Sequence, residues 1–468
     1  MSKKIKRKAS IFWKNENGKL SILHSNLIYF LEKRGFLRVK LDDTNYLLVK
    51  ESNRMISKTS ESEAIGIIKN YLIRMNLKHV YELFAKGVGS YISGKKLDLL
   101  KSVKLVDDRD NRSSSNFYFR NCYCNVNSKE IILKEYDTLS NVIWKNRIIN
   151  RRFEVPKKKE GQFEILCKNI CNNSIERFDS LKTILGYLLH RNKDRGETVA
   201  IILYDENMGI NNQAHGGTCK TLLSQAIAQC REVESINGKE VKTGSWFKNQ
   251  RINITTDVLV YDDLNKDLSL ENFYSTITTG IEVEKKRQQA FFIDFKKSPK
   301  VLITSNYIVK GSGGSSDRRR RFEFELHNHY NDKFTPEDEF GNRFFDDLWS
   351  KDEWNKFFMF MMECVQSYLE KGLIKTNPIN LSKARVESGS CEEFYNYASM
   401  FIVYNEWHDK REFLLIFKDF YPEIIVSPHR FTKWLNNYAI EVGGELETRN
   451  SGGVYSFRIK KVKVNEER

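Results

Sequence analysis

Ala214-His-Gly-Gly-Thr-Cys-Lys220-Thr221 decides how the middle of this chain folds. In the pattern G-x-x-x-x-G-K-[ST], glycine N–H groups wrap phosphates, the lysine reaches the β/γ-phosphates and the hydroxyl binds Mg²⁺. Lys220 and Thr221 stand in the last two roles, with Gly216, Gly217, Thr218 and Cys219 as the cradle. Ahead of the loop, Val199 to Tyr204 is a short apolar run suited to a buried parallel strand. Behind it, Leu222, Leu223, Ala226 and Ile227 recur at helical spacing. Strand, loop and helix form the context such a loop requires, and the helix N-terminus itself attracts anions. Two positions depart from the pattern. Ala214 stands where the first glycine belongs and Cys219 where the last one does. A Cβ beside the lysine disfavours backbone angles that glycine adopts freely. Taken alone, the stretch also reads as a Gly-Gly turn before a surface helix.

Three later segments change that balance. Ile252 to Tyr261 is rich in β-branched and aromatic residues and reads as a strand, ending in Asp262-Asp263. Asp262 is placed to hold Mg²⁺, directly or through water, and Asp263 to orient the attacking water. A further buried strand, Lys300 to Thr304, ends in Ser305-Asn306, whose amide suits a γ-phosphate contact. Asp317-Arg318-Arg319-Arg320-Arg321-Phe322 follows. Guanidinium forks match phosphate geometry, and one supplied by a neighbour stabilises transition-state charge. Arg320 is the first choice for that role and Arg319 the next. Each segment has a plainer reading: capped turns for Asp-Asp and Thr-Ser-Asn, a basic strand edge for the arginines.

Together these motifs resemble the superfamily 3 helicases, a branch of the AAA+ motors. The resemblance is to the helicase portion of poxvirus-type primase-helicases, as in phage and mobile-element replication proteins of Bacteroides-type bacteria. It is carried by Lys220 and Thr221, by Asp262 and Asp263, by Asn306, and by Gly280-Ile-Glu-Val-Glu-Lys-Lys-Arg287 between the last two. It covers roughly residues 180 to 375. It implies ATP and Mg²⁺ as cofactors and a DNA-gripping hairpin in a ring channel, with Lys285, Lys286 and Arg287 as phosphate contacts. It also implies a homo-oligomer, a hexamer, acting on single-stranded and replication-fork DNA beside other replication proteins in a bacterial host.

The composition is compatible with that expectation. The chain has 468 residues, 12% aromatic content and only six prolines, which describes a folded protein of about three domains. A net charge of +16 suits a polyanionic partner, through counterion release. No apolar core follows the charged start Met1-Ser-Lys-Lys, so a cytoplasmic location with no membrane partner is expected. The eight cysteines are scattered. Cys122-x-Cys124 and Cys167-x₃-Cys171 are loose zinc spacings with no histidine to match, and packing on one face explains the first pair better. Cys219 stands at a helix start beside Lys220, where a thiol can have a lowered pKa and oxidise readily; drift or adaptation of the loop is the plainer reading.

The expected fold class is α/β. An AAA+ P-loop NTPase core lies between an N-terminal α+β accessory and collar region and a C-terminal winged-helix-like domain. Residues 1–110 form the accessory domain behind a basic arm, 111–180 a collar-like segment, 181–375 the motor and 391–468 the winged unit, with Ser382 to Ser390 as a linker. Asp42-Asp43 and Asp107-Asp108-x-Asp110 are the notable N-terminal acid clusters. Both lie in turn-like sequence, so no primase activity is expected. In the winged unit, Ser427-Pro428 caps a helix bearing His429, Arg430, Lys433 and Asn436, and Leu446 to Arg458 is the hairpin wing. Arg430 and Lys433 are the expected DNA contacts there.

Three functions fit these features. The first is an ATP-dependent hexameric translocase on single-stranded DNA. The second is a DNA-binding initiator or scaffold ring with weak or no hydrolysis, because of the altered loop. The third is a remodeller of protein complexes, which the basic run at Lys285 to Arg287 disfavours.

Overall fold

The computed structural model describes residues 11–41, 45–104, 108–139, 141–158, 160–208, 219–241, 249–286, 290–312 and 314–461, with single positions aside. The basic arm, Asp42-Asp43, Asp107, the loop glycines with Thr218 and Ala214, Arg287 and the end of the basic tail lie outside them.

At the centre is a five-stranded parallel sheet. Its strands are β1 (Ala200–Asp205), β2 (Val233–Asn237), β3 (Val258–Asp262), β4 (Lys300–Thr304) and β5 (Arg321–Leu326), in the order β2-β3-β4-β1-β5. Every residue of β1 and β4 is buried, which explains their unbroken apolar sequence: both faces of the sheet are covered. Helix α1 (Lys220–Ala228) leaves β1 and carries the chain past β4 and β3 to β2. The return through β3 places β4 between β3 and β1. That crossover sets the carboxyl ends of β1, β4 and β3 side by side, where open parallel sheets bind ligands. The expected strand over Ile252 to Tyr261 forms only from Val258, since the preceding residues turn to bring Asp257 beneath the sheet.

One face of the sheet packs on the helices Ile175–Leu189 and Lys351–Lys371. Gly186 makes their close approach possible: a Cβ there would lie 2.1 Å from the Cys364 carbonyl oxygen. Cys122, Cys124, Cys167 and Cys171 all pack in this same core, and burial raises each thiol's pKa. Packing therefore accounts for both cysteine pairs. The other face is covered by Leu270, Phe273 and Ile277 and by an antiparallel hairpin, Gly280–Val283 with Phe291–Asp294.

The N-terminal region holds a second five-stranded sheet whose edge strand, Ile143–Trp144, comes from the collar-like segment. That segment and the residues just before it are tied to the parallel-sheet domain by buried ion pairs. Asp257, just before β3, meets Arg109 at 3.1 Å and Arg147 at 2.6 Å, and Asp110 meets Arg191 at 2.8 Å. The turn-like acids Asp108 and Asp110 thus serve as buried partners of arginines.

Residues 381–389 correct an expectation. They are a helix, not a linker. Leu381 is buried against the motor core and Val386 in the C-terminal core. Arg385 pairs with Glu323 on β5 and, at 3.3 Å, with Glu441 of the C-terminal helix. The C-terminal unit runs helix (Glu392–Phe401), short strand, helix (Lys410–Phe420), helix (Pro428–Glu441) and a hairpin, Gly444–Ser451 with Val454–Lys461. Ser427 caps the third helix through the Arg430 N–H, with Pro428 in its first turn. Among the described residues no helix is long and apolar enough to cross a membrane.

Candidate nucleotide site

The carboxyl ends of β1, β4 and β3 carry one continuous line of polar side chains. Lys220 opens α1 and donates from Nζ to Asn306 Oδ1 at 2.8 Å and to the Asp205 carboxylate. Asn306 donates from Nδ2 to Asp263 Oδ1 at 3.1 Å. Asp263 in turn pairs with Lys239, which follows β2. The Thr304 hydroxyl, last in β4, donates to Asp262 Oδ1 at 2.7 Å and accepts from the Asp263 N–H at 2.8 Å. Lys220, Asp262, Asp263 and Asn306 are distant in sequence and adjacent in space. Thr221 is exposed at the start of the same helix.

Two residues at this edge have a strained backbone. Cys219 has φ +71° and Asp263 φ +53°, both in the left-handed region that L-residues with a Cβ rarely occupy. Such strain clusters at functional sites, where the surroundings hold it in place. Gly238 allows the loop after β2 to pass β3: a Cβ there would lie 2.6 Å from Leu264 Cα and 2.7 Å from the Asp262 carbonyl oxygen.

Electrostatics single out Asp205. It is 2% exposed, and its Oδ1 has no hydrogen-bond partner among the described residues. Burial raises its pKa, with the contact to Lys220 opposing and nearby Asp263 adding. The chain thus holds a carboxylate on the ammonium that the loop motif assigns to phosphate. Of the two readings of Cys219, the structure goes against the lowered pKa. Its thiol lies in the core with Leu223, and burial pushes its pKa up to about 12, with Asp205 adding to the rise.

The arginines lie elsewhere. Arg321 begins β5 opposite Ala200, so the quartet sits at the amino end of the strands, away from Lys220. The six residues of β5 span about 20 Å. Arg320 donates from Nη1 to the Ser316 carbonyl oxygen at 2.8 Å and stacks on Tyr274. Arg321 pairs with Asp317 and Glu323. Arg318 and Arg319 are exposed.

On the hairpin, Lys285 donates from Nζ to Asn253 Oδ1 at 2.7 Å, while Lys286 is exposed. Burial, then nearby Lys58, lowers the Lys285 pKa. Arg430 and Lys433 are exposed on one helix of the C-terminal unit with His429 and Asn436.

Asp205, Thr304 and Lys239 belong to the site but escaped the sequence reading. Asp205 had a local signal, an acid closing an otherwise apolar strand. Lys239 had none, because only strand order brings the end of β2 to Asp263.

No protein-family model and no curated protein matches the chain. Among solved structures it is similar to an A form apo structure of the NrS-1 C-terminal region, at 11% identity and TM-score 0.42 over 92% of this chain and 99% of that one. A second apo structure of that region, residues 305–718, gives 12% identity and TM-score 0.41 over 92% and 98%. JCV helicase with a bound acetamide compound gives 14% identity and TM-score 0.25 over 36% and 45%. At this level of likeness nothing about activity or ligand transfers to the chain.

Proposed function

We propose that the chain is an ATP-dependent motor on single-stranded DNA, working as a ring, in phage or mobile-element replication. One observation carries this reading: Lys220, Asn306 and Asp263 form an unbroken hydrogen-bonded line across three strand ends, with Asp262 bonded beside it. A line of one cation, one amide and two acids suits a triphosphate, its metal and an attacking water. Triphosphate oxygens would replace Asp205 as the partner of Lys220. Asp263, held by Asn306, would orient the water.

The donor set fits Mg²⁺. Mg²⁺ is held by one or two carboxylates with waters and phosphate oxygens, not by a protein cage. Thr221 and Asp262 supply such a set, and Thr304 aims the Asp262 carboxylate. Held there by Thr221 and Asp262, the ion would supply positive charge to neutralise the phosphates.

The arginine quartet is too far to act on the site of its own chain, which favours supply from a neighbouring copy. Arg319 suits that task better than Arg320, which Ser316 and Tyr274 already engage. Lys285, Lys286 and Arg287 would contact the strand, and Arg430 and Lys433 on a winged-helix-like unit would hold duplex DNA.

ATP turnover measured with and without single-stranded DNA tests the proposal. Stimulated turnover that Lys220→Ala and Asp263→Asn both abolish is expected. Turnover that is absent, and not restored by Cys219→Gly, would remove the motor. The second reading, a DNA-binding ring without hydrolysis, draws on the strained Cys219 and on Asp205 holding Lys220. It predicts salt-dependent DNA binding that Lys220→Ala leaves unchanged.

A further inference from the structure

A cavity of about 660 Å³ lies between the N-terminal sheet, the turns before β3 and the motor hairpin. Its volume is in the range of small-ligand sites. Trp144, Phe291, Ile56 and Leu48 give it apolar walls, while Asn253 and Thr255 place amide and hydroxyl groups on its floor. Two cations, Lys58 and Lys285, share it and repel one another. The acid on its lining, Glu232, already accepts from Asn146 Nδ2. Phe291 is the first strand residue after the hairpin tip, and next to it the Ala290 carbonyl oxygen meets Asn45 Nδ2 of the N-terminal sheet at 3.5 Å. The exposed Lys286 follows Lys285 of the lining.

These features form one chemical pattern. An aromatic wall suits the flat face of a base, and an amide-bearing floor suits its polar edge. Two lysines held together against their own repulsion suit a phosphate. A purely apolar ligand would use neither lysine, and a base pair in a duplex could not turn into the cavity.

We propose that this cavity receives one unstacked nucleotide of a single strand, its base against Phe291 and Trp144 and its phosphate between Lys58 and Lys285. The inference rests on the reading of the hairpin as a strand contact, and it adds the N-terminal sheet as the second jaw. Base–aromatic stacking tolerates any sequence, so the site would grip without sequence preference.

The test uses the full chain with a fluorescent twenty-nucleotide dT oligomer and an iodouracil-substituted version for photo-cross-linking. The cross-link map needs no variant. Attachment at Phe291, Trp144 or Tyr46 is expected. Lys58→Glu should weaken binding about tenfold and lower the salt slope by about one. Phe291→Ala should weaken it roughly three- to tenfold. Free thymidine monophosphate at millimolar concentration should not displace the oligomer. Unchanged binding by Lys58→Glu and Phe291→Ala, alongside loss of binding by Lys286→Glu, would overturn the cavity and keep the hairpin reading. So would cross-links confined to the hairpin tip, or displacement by the mononucleotide. An oligomer that never binds the wild-type chain would end both.

Discussion

Cys219 and Asp205 set the character of the candidate nucleotide site. Cys219 adopts a left-handed conformation that costs about 1–2 kcal/mol for a residue with a Cβ. Its buried thiol returns about 1 kcal/mol of packing. Cys219→Gly should therefore leave the melting temperature nearly unchanged, while ATP turnover rises; a fall in turnover would show the thiol to be needed. Under the proposed function, Asp205 would compete with phosphate for Lys220. Asp205→Asn removes a charge but keeps the shape, so ATP affinity measured by calorimetry should rise, by about tenfold if the competition is worth ~1.4 kcal/mol. The gain should shrink at acid pH. Because burial raises the Asp205 pKa, the wild-type carboxylate protonates at a higher pH than a free aspartate and releases Lys220 itself. A gain that stays constant with pH would point to a structural role.

At the scale of elements, the helix Leu381–Gly389 matters most, because it couples two units. Its sequence, Leu-Ser-Lys-Ala-Arg-Val-Glu-Ser-Gly, has small and polar residues and no strong apolar stripe. Its Leu, Lys, Ala, Arg and Glu permit a helix, but nothing local marks which face is buried. It forms because Leu381 and Val386 find different cores and Arg385 finds acids on both sides. Arg385→Ala would leave Glu441 and part of Glu323 unpaired in a largely buried place, at a cost of about 2 kcal/mol. Thermal unfolding should then separate into two transitions, with the C-terminal unit melting first. A single cooperative transition would show that apolar packing alone couples them. The strands of the motor contrast with this helix. The apolar runs of β1, β3 and β4 were readable in short windows, since a strand buried on both faces needs no distant partner to declare itself; β2, Val-Glu-Ser-Ile-Asn, has no such run.

Across the whole molecule, residues 108–147 and the parallel-sheet domain are joined by buried charge. Burial opposes ionisation of Asp110 and Asp257, yet Arg191 and Arg231 at the first and Arg147 and Arg109 at the second hold both below the ordinary carboxylate range. Their folded pKa values lie below the unfolded ones, so these pairs stabilise in full above about pH 4. That contribution is lost as pH falls toward the folded values. Chemical denaturation between pH 3 and 7 should show a steep acid limb. Asp110→Asn should lower stability at neutral pH by about 3 kcal/mol, leaving Arg191 without its closest carboxylate, and should flatten that limb. An unchanged limb would place the acid sensitivity elsewhere.

By itself the amino-acid sequence determined which apolar segments become the buried strands β1, β3 and β4 and which polar residues stand at their ends. Those properties reside in a few consecutive residues: apolar runs, a lysine and hydroxyl at a helix start, acids and an amide where strands stop. Only the tertiary structure decided that β4 lies between β1 and β3, that Asp205 rather than solvent faces Lys220, and that the acids before the collar are buried against arginines. Each depends on the packing of segments far apart in the chain, and no local window records which distant strand will lie next to which.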